Sequence, residues 1–203
     1  MHLSGHEVVN DVCMHVVFAT KPHRYVTMSK ALMRDAQRCA EGLEGFRTSS
    51  VEQFWARTFV RSFFALVEAC THELKVIVCE AASKGAIELS DAERSALSDE
   101  SYDVDAKGRV VARPRFIPIE RKIRLVHSML HRLFGPELAL PASDHRYAAF
   151  KTAITIRNRI THPKSVEETA ITNSEIETIL LAAAWYGDVQ QSLIQRWSAV
   201  LDD

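Results

Sequence analysis

The sequence predicts an all-α fold. Its 203 residues are 47% hydrophobic and 25% charged, which is typical of a globular protein long enough to bury one substantial core. Glycine and proline are scarce, with seven and six residues respectively, and few segments alternate apolar with polar side chains. Both features favour long helices over many short strands, so we expect a bundle of helices.

The first 47 residues are interpreted as an N-terminal helical extension of this bundle. Residues 8–18 are rich in valine and are compatible with either helix or strand. Residues 29–41 show clearer helical spacing and stop before Gly42.

Composition also indicates the cellular compartment. The chain has no apolar run of about 18 residues, and its first six residues lack the lysine or arginine of a signal peptide. We therefore expect a cytoplasmic protein that does not enter a membrane. Four cysteines form no C-x-x-C pair, so we expect buried thiols rather than a disulfide or a zinc site. They are Cys13, Cys39, Cys70 and Cys79.

A long core helix is predicted next. The capping box of Ser49 with Glu52 opens it, and it runs to about Ser83. Its middle, residues 59–70, is apolar nearly all round, which is typical of a helix in the centre of a bundle.

Glu68 interrupts this apolar segment. A carboxylate on an otherwise apolar helix is costly unless a charged group meets it. Arg157 is the partner that we prefer, because its direction on its own helix leans toward the apolar side. An ion pair with Arg61 or Arg57 on the same helix is the alternative.

A β-hairpin is predicted between the helices. The capping box of Ser90 with Glu93 begins a short helix that ends near Leu97. Residues 99–116 then form two β-rich segments around the turn 105–108, which indicates an inserted hairpin. Its arginines either approach a nucleic-acid backbone or belong to a solvated flap.

The following helix is predicted from about Pro118 to Phe134, with one apolar side and one polar stripe. The stripe is expected to face solvent or RNA and contains Glu120, Arg124, His127 and His131. The two histidines have the i, i+4 spacing of a zinc pair. Because Ser128 stands where H-E-x-x-H has glutamate, and no third ligand is evident, we expect no metal.

Two further helices complete the prediction. One begins at Ser143 or Asp144 and contains apolar residues at helical spacing. The other is capped by Thr172 with Glu175 and runs to about Leu201.

The first of these two helices ends in the most informative motif, Arg157-Asn158-Arg159-Ile160-Thr161-His162, followed by Pro163. At about 100° per residue, Asn158 and His162 lie nearly above one another while Arg157 points to one side. The three polar groups therefore converge on one small anion, such as a phosphodiester. Because the residue before a proline is pushed out of α geometry, His162 is expected at the helix C-terminus, exposed to solvent.

Positive charge is concentrated around this motif. Residues 107–164 contain thirteen lysines and arginines but three acids, although the whole chain has a formal net charge of -1. Either the fold presents a basic surface there, as a polyanion ligand requires, or the helices pair these charges with acidic neighbours.

The motif resembles the R-x4-H motif of the HEPN superfamily, in its form with a polar residue after the arginine. Arg157, Asn158 and His162 match that pattern, and Glu68 matches an acid on the first long helix. The helix order is also similar to that of the family, so the resemblance implies a four-helix HEPN-type bundle within residues 48–203.

The resemblance further implies a metal-independent endoribonuclease without a cofactor. His162 would act as general acid or base, Arg157 would neutralise charge on the phosphoryl oxygens, Asn158 would donate a hydrogen bond, and Glu68 would hold the arginine. The RNA-binding residues expected beside them are Arg159, Lys164, Arg124, His127 and His131. For Arg159, an ordinary surface position is the alternative.

A homodimer is expected with RNA as the substrate, because one histidine cannot easily be both acid and base in a single transesterification. The resemblance also implies a toxin or phage-defence role, with an antitoxin or regulatory protein as a possible partner. Lys164 stands where family toxins regulated by nucleotidyl transfer often have tyrosine, which argues against that control. The alternatives are a non-catalytic HEPN module that binds RNA, a nucleotide or a protein, and a helical scaffold in which Arg157 and His162 only cap and pair.

Overall fold

The computed structural model describes residues 21–43, 50–135 and 138–202. Within these ranges the chain is mostly helical, which confirms the predicted class. The helices are α1 (Lys21–Glu41), α2 (Ser50–Ser83), α3 (Asp91–Leu97), α4 (Ile119–Phe134), α5 (His145–Thr161) and α6 (Asn173–Asp202). Strands β1 (Glu100–Val104) and β2 (Val110–Pro114) form the predicted hairpin, and a 3-10 turn spans Glu167–Thr169. The stretch 8–18 and the capping residue Ser49 lie outside the described residues.

The chain divides into two compact units. One contains residues 23–70 and 140–198, and we call it the motif unit. The other is built around residues 71–139, and we call it the hairpin unit. The boundary at residue 47 that we interpreted from the sequence lies outside the described residues.

Helix α1 contributes to the core of the motif unit. The ring of Tyr25 meets the ring of Trp197 edge-on, with centroids 5.0 Å apart. Cys39 Sγ lies 3.6 Å from Ser62 Oγ on α2. The helix starts eight residues earlier than predicted, because a proline at position 22 falls in the first turn, where no backbone N–H is needed.

An aromatic cluster holds α2, α5 and α6 together in the motif unit. Phe150 on α5 is fully buried. Its ring centroid lies 6.5 Å from that of Phe63, 5.0 Å from that of Trp185 and 6.3 Å from that of Tyr186. Burying side chains of this size stabilises the fold by about 1.5–3 kcal/mol each. The central part of α5 is therefore held in place by its contacts with α2 and α6.

Helix α2 is less enclosed than we predicted. Its segment 59–70 buries most of its apolar side chains, but Arg61, Ala65 and Glu68 are exposed. These three residues follow i, i+4, i+7 spacing and therefore form one exposed stripe. The two charged residues that interrupt the apolar segment therefore lie on the exposed side of α2, and the prediction of a helix in the centre of the bundle is wrong on this side.

The hairpin unit contains the predicted β-hairpin. Its strands are antiparallel, with Val104 opposite Val110. The Asp105 carboxylate accepts hydrogen bonds from the backbone N–H groups of Lys107 and Arg109, and Gly108 adopts a φ of 74° that suits glycine at this position.

Two of the described cysteines are buried as predicted, namely Cys39 and Cys70. The prediction is wrong for Cys79, which is exposed on the polar side of α2, and Cys13 lies outside the described residues. None of the helices in the described ranges combines the length and the apolar character needed to cross a bilayer.

Candidate active site

The motif occupies the C-terminal end of α5. The helix begins at His145, and the Asp144 carboxylate caps it by accepting a hydrogen bond from the Arg146 N–H. It ends at Thr161, and His162 is the C-cap residue with φ −128° and ψ 57°. The His162 backbone N–H still donates to the Asn158 carbonyl at 3.0 Å. The predicted position of the histidine at the last turn is therefore confirmed.

Arg157 is held between two acceptors. Its guanidinium donates to a carboxylate oxygen of Glu68 and, at 3.1 Å, to the side-chain oxygen of Asn158. The preferred partner of Glu68 is thus confirmed, while the alternative Arg57 instead donates to the Thr169 carbonyl. The Glu68 side chain is 47% exposed and that of Arg157 is 28% exposed. The pair therefore lies at the surface and not in the apolar interior that we assumed for Glu68.

Asn158 and His162 are both exposed. Because Arg157 binds the oxygen of the Asn158 side chain, the amide nitrogen is oriented as a donor toward solvent. Within the described ranges, no side chain or backbone group hydrogen-bonds the His162 imidazole. The imidazole can therefore exchange a proton with a bound molecule.

The connection after His162 is tied to α2 by side chains for which the sequence predicted no such contact. The Gln53 side chain donates to the Ile171 carbonyl at 2.9 Å and accepts from its N–H at 3.0 Å. Arg57 reaches the Thr169 carbonyl at 3.4 Å. No local sequence pattern predicts these contacts, because the partners are more than a hundred residues apart in the sequence.

Arg159 supports the same connection. Its guanidinium donates to the carbonyls of Glu168 and Ala170, each at 2.7 Å, and pairs with the Glu175 carboxylate at 2.7 Å. These bonds give Arg159 a structural role in the motif unit, and its contact with RNA stays a prediction. Lys164 is exposed, and its backbone N–H donates to Glu168 at 2.7 Å.

The predicted RNA-facing stripe of α4 belongs to the hairpin unit, and one of its four residues was assigned to the wrong side of the helix. His127 is 4% exposed, so the prediction that it faces solvent is wrong. Burial lowers its pKa to about 4, although a hydrogen bond with the Leu138 backbone acts in the opposite direction. Arg124 and His131 are exposed, and Arg124 pairs with Glu120 at 3.5 Å.

The positive segment 107–164 is largely neutralised. Of its thirteen basic side chains, eight form ion pairs with acids in the described part of the chain. These eight are Arg109, Arg113, Lys122, Arg124, Arg132, Arg146, Arg157 and Arg159. The second of our two interpretations, pairing with acidic neighbours, therefore describes most of the segment.

The described residues contain no group of three or more histidine, cysteine, aspartate or glutamate side chains arranged to hold a metal ion. The site that remains consists of an oriented guanidinium, an amide donor and an exposed imidazole within the motif unit. These groups suit the binding of an anion and the transfer of a proton. Comparison with protein-family models, with curated proteins and with solved structures finds no match to this chain.

Proposed function

We propose that this protein is a metal-independent endoribonuclease of the HEPN type, built on a four-helix bundle of that family. The observation that carries the proposal is the arrangement at the end of α5. Glu68 and Asn158 orient the Arg157 guanidinium, and His162 lies exposed at the C-terminus of the same helix. A scaffold that needs only a helix cap has no use for an arginine held by two acceptors next to a titratable side chain.

The reaction is an in-line transesterification. A base removes the proton of the ribose 2′-hydroxyl, and the 2′-oxygen forms a bond to phosphorus. The bond from phosphorus to the 5′-oxygen breaks, and an acid gives that oxygen a proton. The products are a 2′,3′-cyclic phosphate and a 5′-hydroxyl. Arg157 stabilises the charge that builds on the phosphoryl oxygens, and the Asn158 amide donates to the same group.

One imidazole supplies either the base or the acid. A second copy of the chain, related by a two-fold axis, supplies the other from its own His162, and we therefore propose a homodimer. A toxin or phage-defence effector, controlled by an antitoxin or another regulatory protein, is the biological role that fits such an enzyme. Localisation in the cytoplasm, where RNA is present, belongs to the same proposal.

The test is cleavage of a mixed RNA pool by purified protein in the presence of EDTA. We expect fragments with cyclic-phosphate ends, and we expect His162→Ala and Arg157→Ala each to lower the rate by about a hundredfold or more, as for loss of a general acid–base or an oxyanion-binding group. Arg34→Ala, at an exposed arginine of α1 outside the basic segment, is the control. Tight RNA binding without cleavage, unaffected by His162→Ala, would instead identify a non-catalytic RNA-binding module.

A further inference from the structure

Arg61 lies on the exposed stripe of α2, two helical turns before Glu68. Seven residues at 1.5 Å each place the two Cα atoms roughly 10 Å apart along the helix axis, on the same face. Among the residues that the structure describes, no acid pairs with Arg61 and no carbonyl accepts from it. A guanidinium that is exposed and uncompensated is available to a ligand.

Two contacts of α2 lie on either side of Arg61 along the helix. At one end Glu68 binds Arg157, and at the other end Arg57 binds the Thr169 carbonyl. His162 lies between Arg157 and Thr169 along the chain, just as Arg61 lies between Arg57 and Glu68 along α2. Because residues 57, 61 and 68 follow i, i+4, i+11 spacing, Arg61 lies on the face of α2 that contacts the chain both before and after His162.

Charge compensation indicates why this cation matters. The positive charge of Arg157 is offset by the Glu68 carboxylate, so the pair carries no net charge toward an approaching anion. Arg159 is offset in the same way by Glu175. Binding a polyanion at this surface requires a further positive group, and Arg61 supplies one.

We propose that Arg61 binds the phosphate adjacent to the scissile phosphate. This inference rests on the proposed nuclease function. The site then takes an oligonucleotide with at least two successive phosphates and discriminates against substrates with a single phosphate. Guanidinium suits this role because its planar donors bind two phosphate oxygens at once. Arg61 is accordingly a substrate-binding and specificity residue, distinct from the groups that act on the reacting atoms.

The experiment compares two substrates that contain the same cleavable linkage. One is a dinucleoside monophosphate, and the other is a pentanucleotide whose remaining riboses are 2′-deoxy. For Arg61→Gln we expect the KM of the pentanucleotide to rise about tenfold, as for loss of one hydrogen-bonded charge, with kcat changed less than twofold. The kinetics of the dinucleoside monophosphate should not change. Arg121→Gln, at an exposed arginine of α4, is the matched control.

Equal effects of Arg61→Gln on both substrates, or no effect on the pentanucleotide, would overturn the assignment. Binding of a fully 2′-O-methylated pentanucleotide, measured by fluorescence anisotropy, separates this assignment from the nuclease proposal, since it cannot be cleaved through a 2′-hydroxyl. If wild type cleaves RNA but Arg61→Gln binds this oligonucleotide as tightly, the inference fails while the nuclease stands. If wild type cleaves nothing but the variant binds about tenfold more weakly, the phosphate contact stands and the nuclease fails.

Discussion

At position 127 a histidine lies among apolar side chains of α4, hydrogen-bonded with the backbone of Leu138. Its burial disfavours the charged imidazolium, so the pKa falls to about 4. In the sequence we assigned it to the polar stripe with Arg124 and His131. The spacing also allows the other choice, because residue 127 follows Ile123 by four positions and precedes Leu130 by three, and both of these residues are buried. When a polar residue lies at the border between the polar and apolar faces of a helix, the sequence pattern alone cannot predict whether its side chain is buried or exposed.

This histidine makes stability depend on pH. The unfolded chain binds a proton at an imidazole pKa of about 6.5, whereas the folded chain binds it only near pH 4. Below pH 6.5 the unfolded state therefore takes up more protons, and the free energy of unfolding should fall between pH 6.5 and pH 4, by at most about 3 kcal/mol. Urea unfolding followed by circular dichroism over this range measures the loss.

The variant His127→Gln removes the titrating group and should flatten this part of the pH profile, even if it lowers stability at pH 7. His131→Gln is the matched control, because His131 is exposed one turn further along the same helix. An unchanged profile in His127→Gln would show that other groups cause the acid sensitivity.

At the scale of elements, helices could be predicted wherever their signals are local. The capping boxes of Ser90 with Glu93 and of Thr172 with Glu175 form as predicted, and the hairpin turn is set by residues within it. These signals act over a few residues and therefore survive in the sequence as patterns. The bounds of α1 were predicted less well because a proline inside its first turn resembles a helix breaker.

In the candidate site too, features set by local geometry were predicted, whereas features that depend on distant parts of the chain were not. The motif and the pairing of Glu68 with Arg157 were inferred from helical geometry, which gives directions on each helix. The support of the connection after His162 was not inferred, because Gln53 and Ile171 are 118 residues apart and meet only when α2 packs in the motif unit. A glutamine near a helix start has no pattern that distinguishes a structural role from an ordinary surface position.

Removal of the Gln53 side chain tests how strongly this support acts. Gln53→Ala leaves the Ile171 N–H and carbonyl without these partners, so we expect the free energy of unfolding to fall by about 1–3 kcal/mol. Because the connection begins at His162, we also expect a lower kcat for RNA cleavage by the folded variant. Urea titration and single-turnover cleavage measure the two effects. Gln191→Ala on the exposed side of α6 should change neither, and a Gln53→Ala variant as stable as wild type would contradict the structural role.

For the molecule as a whole, the distribution of charge determines how the proposed RNA substrate would be attracted to the surface. The segment 107–164 contains thirteen basic residues, but eight of them form ion pairs with acidic side chains in the described part of the chain. The formal net charge of the whole chain is -1. Exposed ion pairs add little stability, yet they reduce the positive potential that attracts a polyanion. The proposed affinity for RNA therefore depends on a few uncompensated cations beside the motif, such as Arg61 and Lys164, and not on the whole segment.

The salt dependence of RNA binding distinguishes binding by the whole basic segment from binding by a few unpaired cations. For single-stranded RNA the slope of log K against log salt is about −0.7 per phosphate contact, so thirteen contacts would give about −9 and three contacts about −2. We expect a slope near −2 for a 2′-O-methylated oligonucleotide titrated between low and high salt. Lys164→Gln should make the slope less steep by about 0.7, whereas Arg113→Gln, which removes a cation already paired with Asp103, should leave it unchanged. A slope near −9 would mean that the ion pairs open on binding, and the compensated arginines would then belong to the RNA-binding surface after all.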